Sequence, residues 1–386
     1  MNYKSIFNLL GILLGLFSLS FIPPLVLTFV YSESGREIFL YSFIFLFFLG
    51  GTLWVSTRQK NLPLNISDGF IITTMFWVVL ACAGSIPFYF FGLSIGDSIF
   101  ESVSGITTTG ATTIIGLDTL PKSILLYRQL LQWIGGMGLI ILAVAVMPAL
   151  GIGGGQLYKM ELPGSHGNQK LTPKITDSAK ALWKIYVGLT VLCATLYLIS
   201  GMSLFDSIAH SLSTVAGGGF STHDDSIGFF DSGLIETVCI VFMLLSAASF
   251  AVHYAAIFGG KPLKYFYDSE FRFFLSVILL IIMISLFIHI VSNSYTDIFS
   301  AIKSTIFHTV SIVTTSGFTT ENFSLWPGFL PYLLLVGAFM GACSQSVGGG
   351  IKAWRVLIMI NQAYKEILKT IHPNAVLTSK IGSKVI

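Results

Sequence analysis

Three short segments rich in glycine, serine and threonine are where this sequence could do chemistry. They read FESVSGITTTGATT at 100–113, AHSLSTVAGGGFST at 209–222 and FHTVSIVTTSGFTT at 307–320, and they align without gaps. Gly110, Gly219 and Gly317 share one column, 109 and 98 residues apart. Thr108 and Thr109, Gly217 and Gly218, and Thr315 and Ser316 fill the two columns before it. These columns bring no acid, base or thiol. What they offer is oxygen, above all main-chain carbonyl oxygen, and a ring of carbonyls can replace the hydration shell of a cation. Glycine permits the backbone that aims successive carbonyls at one axis, because it has no Cβ to clash at positive φ. Serine and threonine can hydrogen-bond such a backbone without filling the pore. For one segment alone, close helix packing through small residues is the simpler explanation; three in register favour the carbonyl ring.

Each segment must be positioned by its neighbours, and composition says what those are. Of 386 residues, 54% are hydrophobic and 10% charged, against about 25% charged in a soluble domain. Lipid must therefore cover much of the surface. A spanning helix needs roughly 20 mostly apolar residues, and such runs lie near 6–31, 38–57, 67–92, 124–150, 181–202, 233–258, 272–292 and 328–360. The first is too long for a secretion signal and is kept as a membrane helix. The fold class expected is all-α and membrane-embedded. Its repeating unit is a span, a short helix ending at mid-membrane, a glycine-centred extended segment and a second span. A helix ending there turns its negative C-terminal end inward, which favours a cation. With the N-terminus in the cytoplasm, the 21 Lys and Arg divide 17 inside and 4 outside, the latter being Arg36, Lys122, Arg128 and Lys303. The positive-inside rule selects that topology, which places all three segments on the external side. Twelve of the 18 acidic residues share that side, among them Asp97, Glu101, Asp206, Asp224, Asp225 and Glu321, forming an acidic mouth that concentrates cations or a set of solvated loop charges.

The last span is interrupted by GACSQSVGGG at 341–350. Polar and glycine residues at that depth break the helix, and their backbone must be buried in protein or line a cavity. Lys352 follows, beneath the break or as a snorkelling anchor. Cys82, Cys193, Cys239 and Cys343 fall in apolar runs without CxxC spacing and read as small buried residues. With a net charge of +3 and no basic block, nucleic acid is not an expected partner. A membrane-embedded enzyme is the rival class. It needs intramembrane acids or histidines at catalytic spacing, whereas His210 and His308 lie at the starts of the short helices and His253 and His289 stand apart.

The chain resembles the Trk/Ktr/HKT superfamily, and within it the membrane subunit of bacterial Trk potassium uptake. The resemblance is carried by GITTTGATT at 105–113, YRQLLQWIGGMG at 127–138, KLTPKITDSAKALWKIY at 170–186, STVAGGGFSTHD at 213–224, TTSGFTTENFSLWPGFLP at 314–331 and GACSQSVGGGIK at 341–352. It implies potassium as the ion, no cofactor, and four covalently linked pore units behind two extra N-terminal helices. The units then divide as 1–62 for the extra helices, 63–160, 161–262 and 263–370 for three pore units, and 371–386 for a cytoplasmic tail. It implies ion binding at Thr108, Thr109, Gly110, Gly217, Gly218, Gly219, Thr315, Ser316 and Gly317. Ala111 stands where the other units have Phe220 and Phe318, so the packing shell is uneven. It further implies that Gly341, Ser344, Gln345, Gly348, Gly349, Gly350 and Lys352 form an intramembrane gating loop, a flexible kink being the alternative. A homodimer, a cytoplasmic nucleotide-binding regulatory subunit and a bacterial inner-membrane location also follow. A fourth unit would place its glycine about 100 residues past Gly317 at the spacing of the repeats, and the chain ends at Ile386. The expectation is thus a truncated or split chain lacking pore unit 4, conducting with a partner polypeptide or persisting as a non-conducting remnant.

Overall fold

The structure, a computed structural model, describes residues 3–58, 66–145, 175–372, 380–381 and 384–385. These residues are helical apart from loops and one antiparallel pair, β1 (Lys380–Ile381) with β2 (Lys384–Val385). Among the described residues, five helices are long and apolar enough to cross a membrane, or six if one bent pair is counted as a span. Large apolar side chains such as Phe48, Phe287 and Phe339 are more than half exposed, as lipid-facing positions should be.

The first hairpin joins α1 (Tyr3–Ser18) and α2 (Ile22–Val30), continuous through a 3₁₀ turn, to α3 (Arg36–Ser56). Gly11 and Gly50 bring α1 and α3 together: a Cβ on Gly11 would lie 2.8 Å from the Gly50 carbonyl, an approach only paired small residues allow. Three repeats follow. The first has α4 (Ile66–Phe91), the short α5 (Ile95–Ile106) and α6 (Lys122–Ala145); the second has α7 (Ile175–Ile199), the short α8 (Leu204–Ala216) and α9 (Gly233–Ala247) running into α10 (Phe250–Ile257). After the single turn α11 (Lys264–Tyr267), the third has α12 (Ser269–Val291), the short α13 (Ile298–Val313), then α14 (Leu330–Met340) and α15 (Ala353–Ile371).

Local sequence explains the short helices. Ser94 and Ser203 accept from the Asp97 and Asp206 amides, both at 3.1 Å, and each hydroxyl donates to the same aspartate's carboxylate at 2.7 Å. This Ser-x-x-Asp capping box recurs at the repeat interval. Asp297 caps α13 instead, accepting from the Ser300 amide at 3.2 Å. At 12, 13 and 16 residues and about 1.5 Å per residue, none of the three crosses an apolar layer of roughly 30 Å.

One span differs from the sequence reading. Residues 233–258 were expected to form one helix, yet α9 and α10 meet at a bend of 102°. The run Ser246-Ala247-Ala248-Ser249 is small enough to allow the break, and Ser249 starts the new helix by accepting from the Ala251 amide at 3.3 Å. Cys82 is exposed where burial was expected, while Cys193, Cys239 and Cys343 are buried. Of the span expected at 124–150, residues 146–150 lie outside the described residues.

Candidate functional site

The short helices all end in the same way. Thr108, Gly217 and Thr315 take φ of 54°, 67° and 63°, and two residues later Gly110, Gly219 and Gly317 take 80°, 76° and 87°. The amides of Thr108, Gly217 and Thr315 bond the carbonyl three residues back at 3.0, 3.1 and 3.0 Å. Those of Thr109, Gly218 and Ser316 reach five residues back at 2.9, 3.1 and 2.9 Å. This is a Schellman termination built three times. Two of its left-handed residues are threonines, whose β-branched side chains resist that conformation; the surroundings must impose it.

The three segments touch in chain order. A Cβ on Gly110 would collide with the Gly218 carbonyl, and one on Gly219 with the Ser316 carbonyl. Only glycine fits those positions, for reasons of space as well as φ. Helix α6 threads between the first and second segments. Gln132 donates to the Gly218 carbonyl at 2.7 Å and accepts from the Ser213 hydroxyl at 2.6 Å and the Phe220 amide at 3.1 Å. Gly136 lets α6 close on the end of α8, where a Cβ would meet Ala216 at 3.1 Å. Nearby, Trp133 donates to Thr190 at 3.1 Å. The motif at 127–138 is therefore a spine that holds two segments together, a role not read from the sequence. Its polar residues inside an apolar run were the available signal.

One column of the short helices anchors the strand that leaves each segment. It holds Glu101, His210 and His308, all fully buried. Glu101 Oε1 accepts from the Thr112 hydroxyl at 2.5 Å and the Thr113 amide at 2.7 Å. His210 and His308 place Nδ1 3.0 and 2.9 Å from the Asp206 and Ser304 carbonyls. A carbonyl can only accept, so Nδ1 carries the proton and Nε2 is left as an acceptor; in His308 the 2.9 Å contact of Nδ1 with the Ser304 carbonyl sets this tautomer over the 3.2 Å approach of Nε2 to the Glu321 carbonyl. His210 Nε2 then meets the Ser221 hydroxyl at 2.9 Å, and His308 Nε2 takes the Thr320 amide at 3.3 Å. These histidines lie well inside α8 and α13, not at their starts. Glu101 and Arg128, read as external charges, prove to be a buried ion pair at 3.2 Å. Arg128 also donates to Thr112 at 2.9 Å and to the Ser221 carbonyl at 3.3 Å, and covers the Phe220 ring at 4.2 Å. Glu101 therefore belongs to the frame and not to an acidic mouth.

Below the segments lies the break between α14 and α15. Thr315 Oγ1 accepts from the Gly349 amide at 2.6 Å, and Val347 and Gly348 pass beneath Gly217. Gly341, Gln345, Gly350 and Lys352 all take positive φ. Lys352 folds back on the loop, its ammonium donating to the Gly348 carbonyl and, at 3.4 Å, to that of Ser346; it does not snorkel. Cys343 donates to the Ala247 carbonyl at 3.0 Å, and Phe250 donates to the Gln345 carbonyl at 2.9 Å. The loop thus satisfies backbone groups that the 102° bend frees.

Beyond the segments, Asp224 accepts from the Gly116 and Leu117 amides, both at 3.1 Å. His223 stacks on Phe229 at 3.5 Å and contacts Asp118, with Asp206 3.5 Å from its Nε2. Burial works against the charged imidazole, but the bonds to Asp206 and Asp118 outweigh it and raise the His223 pKa above its ordinary value. The His223 hydrogen bond in turn lowers that of Asp118. Glu321 accepts from Tyr295, Ser304 and, at 2.9 Å, from Trp326. Much of the supposed acidic mouth is occupied in holding loops.

Residues 35–386 match the TrkH family of cation transport proteins. The chain is 46% identical over its full length to the Trk system potassium uptake protein TrkH of Vibrio parahaemolyticus, covering 81% of that protein. It is 43% identical to TrkH of Escherichia coli K12 and 39% identical to TrkG of the same strain, covering 80% of each. The crystal structure of the potassium transporter TrkH from Vibrio parahaemolyticus superposes with a TM-score of 0.89 at 44% identity, over all of this chain and 80% of that one. These relatives name transporters and not enzymes, and with its apolar helices the chain is a multi-pass membrane protein that belongs to the TrkH family of cation transport proteins.

Proposed function

We propose that the chain carries potassium across a bacterial inner membrane through a path lined by Thr108–Gly110, Gly217–Gly219 and Thr315–Gly317. One observation carries this reading. Three segments remote in sequence share an alternation of left-handed residues, and alternating handedness turns successive carbonyls of an extended chain toward one side. Carbonyl oxygens on a common axis are what a dehydrated cation needs. The Schellman ends leave the short helices' negative termini facing the same place. Potassium itself is read from the names of the relatives.

The loop at 341–352 is the gate on this path, since it passes beneath Gly217 and is bonded to Thr315. The repeats are pore units around one axis, and α1 to α3 stand outside them. The count of 17 basic residues to 4 supports a cytoplasmic N-terminus. The exposed Lys261 and Lys264 then suit a cytoplasmic nucleotide-binding regulatory subunit, and the resemblance suits a homodimer.

Gly219→Ala tests the filter. The added methyl meets the Ser316 carbonyl at a left-handed position. Potassium uptake in a strain lacking its own uptake systems should fall at least tenfold, the scale of one lost ion contact. Wild-type uptake with unchanged discrimination against sodium would remove this column from the path.

A further inference from the structure

We propose that Glu270 is the positioning residue that pins the loop at 341–352 beneath the three segments, and that releasing it opens the path. The proposal rests on the gate reading above and adds its latch. Glu270 lies in the first turn of α12, outside the loop, and is buried. Its Oε1 accepts from the Ser344 amide at 2.5 Å and the Trp354 amide at 3.1 Å, and its Oε2 accepts from the Ser344 hydroxyl at 2.7 Å. One carboxylate thus holds the loop near its start and the helix that follows it.

The bond pattern makes this a latch and not just one more contact. Ser344 and Trp354 flank the glycine run whose positive φ at Gly350 and Lys352 makes it deformable in ways a helix is not. The Trp354 amide is in the first turn of α15, where a helix leaves amides without internal partners. A buried carboxylate is a strong acceptor for such amides. Backbone bonds also close the two ends of the loop on each other, from Ile351 to Phe339 at 2.9 Å, from Lys352 to Met340 at 3.0 Å and from Ala353 to Ala342 at 3.0 Å. Glu270 differs from these in holding both ends from a separate helix, where the Ala247, Phe250 and Thr315 bonds each reach one point of the loop. Glu270 is also continuous with the connector from Phe250 through α11, which His253 braces against Tyr265 at 2.6 Å and Leu245 at 2.9 Å. Movement of that connector would reach the loop through Glu270.

Hydrogen-bond chemistry separates the position of this group from its charge. In Glu270→Gln the amide oxygen can still accept both backbone amides, and its NH₂ can donate to the Ser344 hydroxyl. In Glu270→Ala all three bonds are lost. The probe is Cys343, which is buried beside Ser344. Wild-type protein, Glu270→Ala and Glu270→Gln, each in native membranes, are treated with N-ethylmaleimide and labelling is read peptide by peptide. Cys193 and Cys239, also buried, report any general unfolding. Rubidium uptake and the rubidium-to-sodium ratio are measured in the same cells.

Glu270→Ala should label Cys343 at least tenfold faster, leave Cys193 and Cys239 protected, and raise uptake by about tenfold at an unchanged ion ratio, the population shift expected for losing a charge-assisted bond. Glu270→Gln should stay within about threefold of wild type on the same scale. Protection of Cys343 in Glu270→Ala equal to wild type overturns the latch and leaves the gate reading standing. Faster Cys343 labelling with unchanged uptake overturns the gate reading, and with it the claim that release opens the path. If Cys193 and Cys239 also react, Glu270→Asp, one methylene shorter, decides by the same criteria.

Discussion

The first repeat and the two that follow it build the same backbone turn and secure it with different chemistry. In the second and third, a neutral imidazole binds a carbonyl of its own helix and the strand that leaves its own segment. In the first, the same column holds Glu101, which brings with it a buried cation from α6. The histidine anchors close locally. The Glu101–Arg128 anchor reaches outward, since Arg128 donates to the Ser221 carbonyl of the second repeat. The second and third repeats are joined instead by loop hydrogen bonds and a partly buried ion pair: Gly228 to Thr319 at 3.2 Å, Thr319 to Ser226 at 3.2 Å, and Lys303 to Glu236 at 2.8 Å. A repeat therefore needs one acceptor at this column, whereas the charge at Glu101 serves the seam between neighbours.

The strongest way to break this comparison is Arg128→Met. It strands the Glu101 carboxylate in a fully buried site, which typically costs about 3–5 kcal/mol. The unfolding midpoint in detergent should collapse, and folded protein should be scarce. The sharper form adds Glu101→His in the same chain. If the column needs only an acceptor, the double variant should recover about 1–3 kcal/mol over Arg128→Met alone. A double variant no better than the single would mean that the charged pair is required in its own right, and the equivalence of the three anchors would be lost.

A smaller effect is expected in the third repeat. His308→Leu removes the acceptor for the Thr320 amide, about 0.5–1.5 kcal/mol for a neutral bond plus any desolvation left behind. The midpoint should drop modestly, and discrimination between potassium and sodium should weaken before uptake fails. A loss as large as that of Arg128→Met would show that the histidine anchor also holds neighbouring repeats together.

The glycine column could be read from sequence because its requirement is local. Gly110, Gly219 and Gly317 answer to backbone handedness, and Gly110 and Gly219 also to a carbonyl next door. The equally left-handed Thr108 and Thr315 could not be found that way, since threonine there obeys the surroundings against its own preference. Glu101 was placed on the correct segment and given the wrong role. Counting charges by side of the membrane tells nothing of depth, and only the three-dimensional register brings Arg128 to it. Gln132 went unassigned because its partners, Gly218, Ser213 and Phe220, are more than 80 residues away. The bend at residues 247–250 was hidden because 233–258 is mostly apolar despite Glu236, Ser246, Ser249 and His253, and hydropathy does not distinguish a bent helix from a straight one. The interruption at 341–350 was legible because it changes composition as well as shape.

The smallest effect belongs to the contact between the first two repeats where His223 meets Asp118 and Asp206. The sign follows from the shifts. The folded-state pKa of His223 is raised above 6.5, so its contribution is full below that value and is lost as pH rises through the raised one. That of Asp118 is lowered below 3.8, so its contribution holds above 3.8 and is lost as pH falls through the lowered one. Both are charged together between these limits, and the contact is strongest in mildly acid solution. Asp118 is largely exposed, and solvent screening limits such a pair to about 0.2–1 kcal/mol. Wild type should exceed His223→Gln in unfolding midpoint at pH 6, and the gap should narrow at pH 8.5. A gap that is the same at both pH values would mean that His223 works through its stacking on Phe229 and not through charge. Charge would then join the first two repeats through the buried Arg128 and through the Asp224 bonds to the Gly116 and Leu117 amides, and the His223 contact would drop out of the comparison.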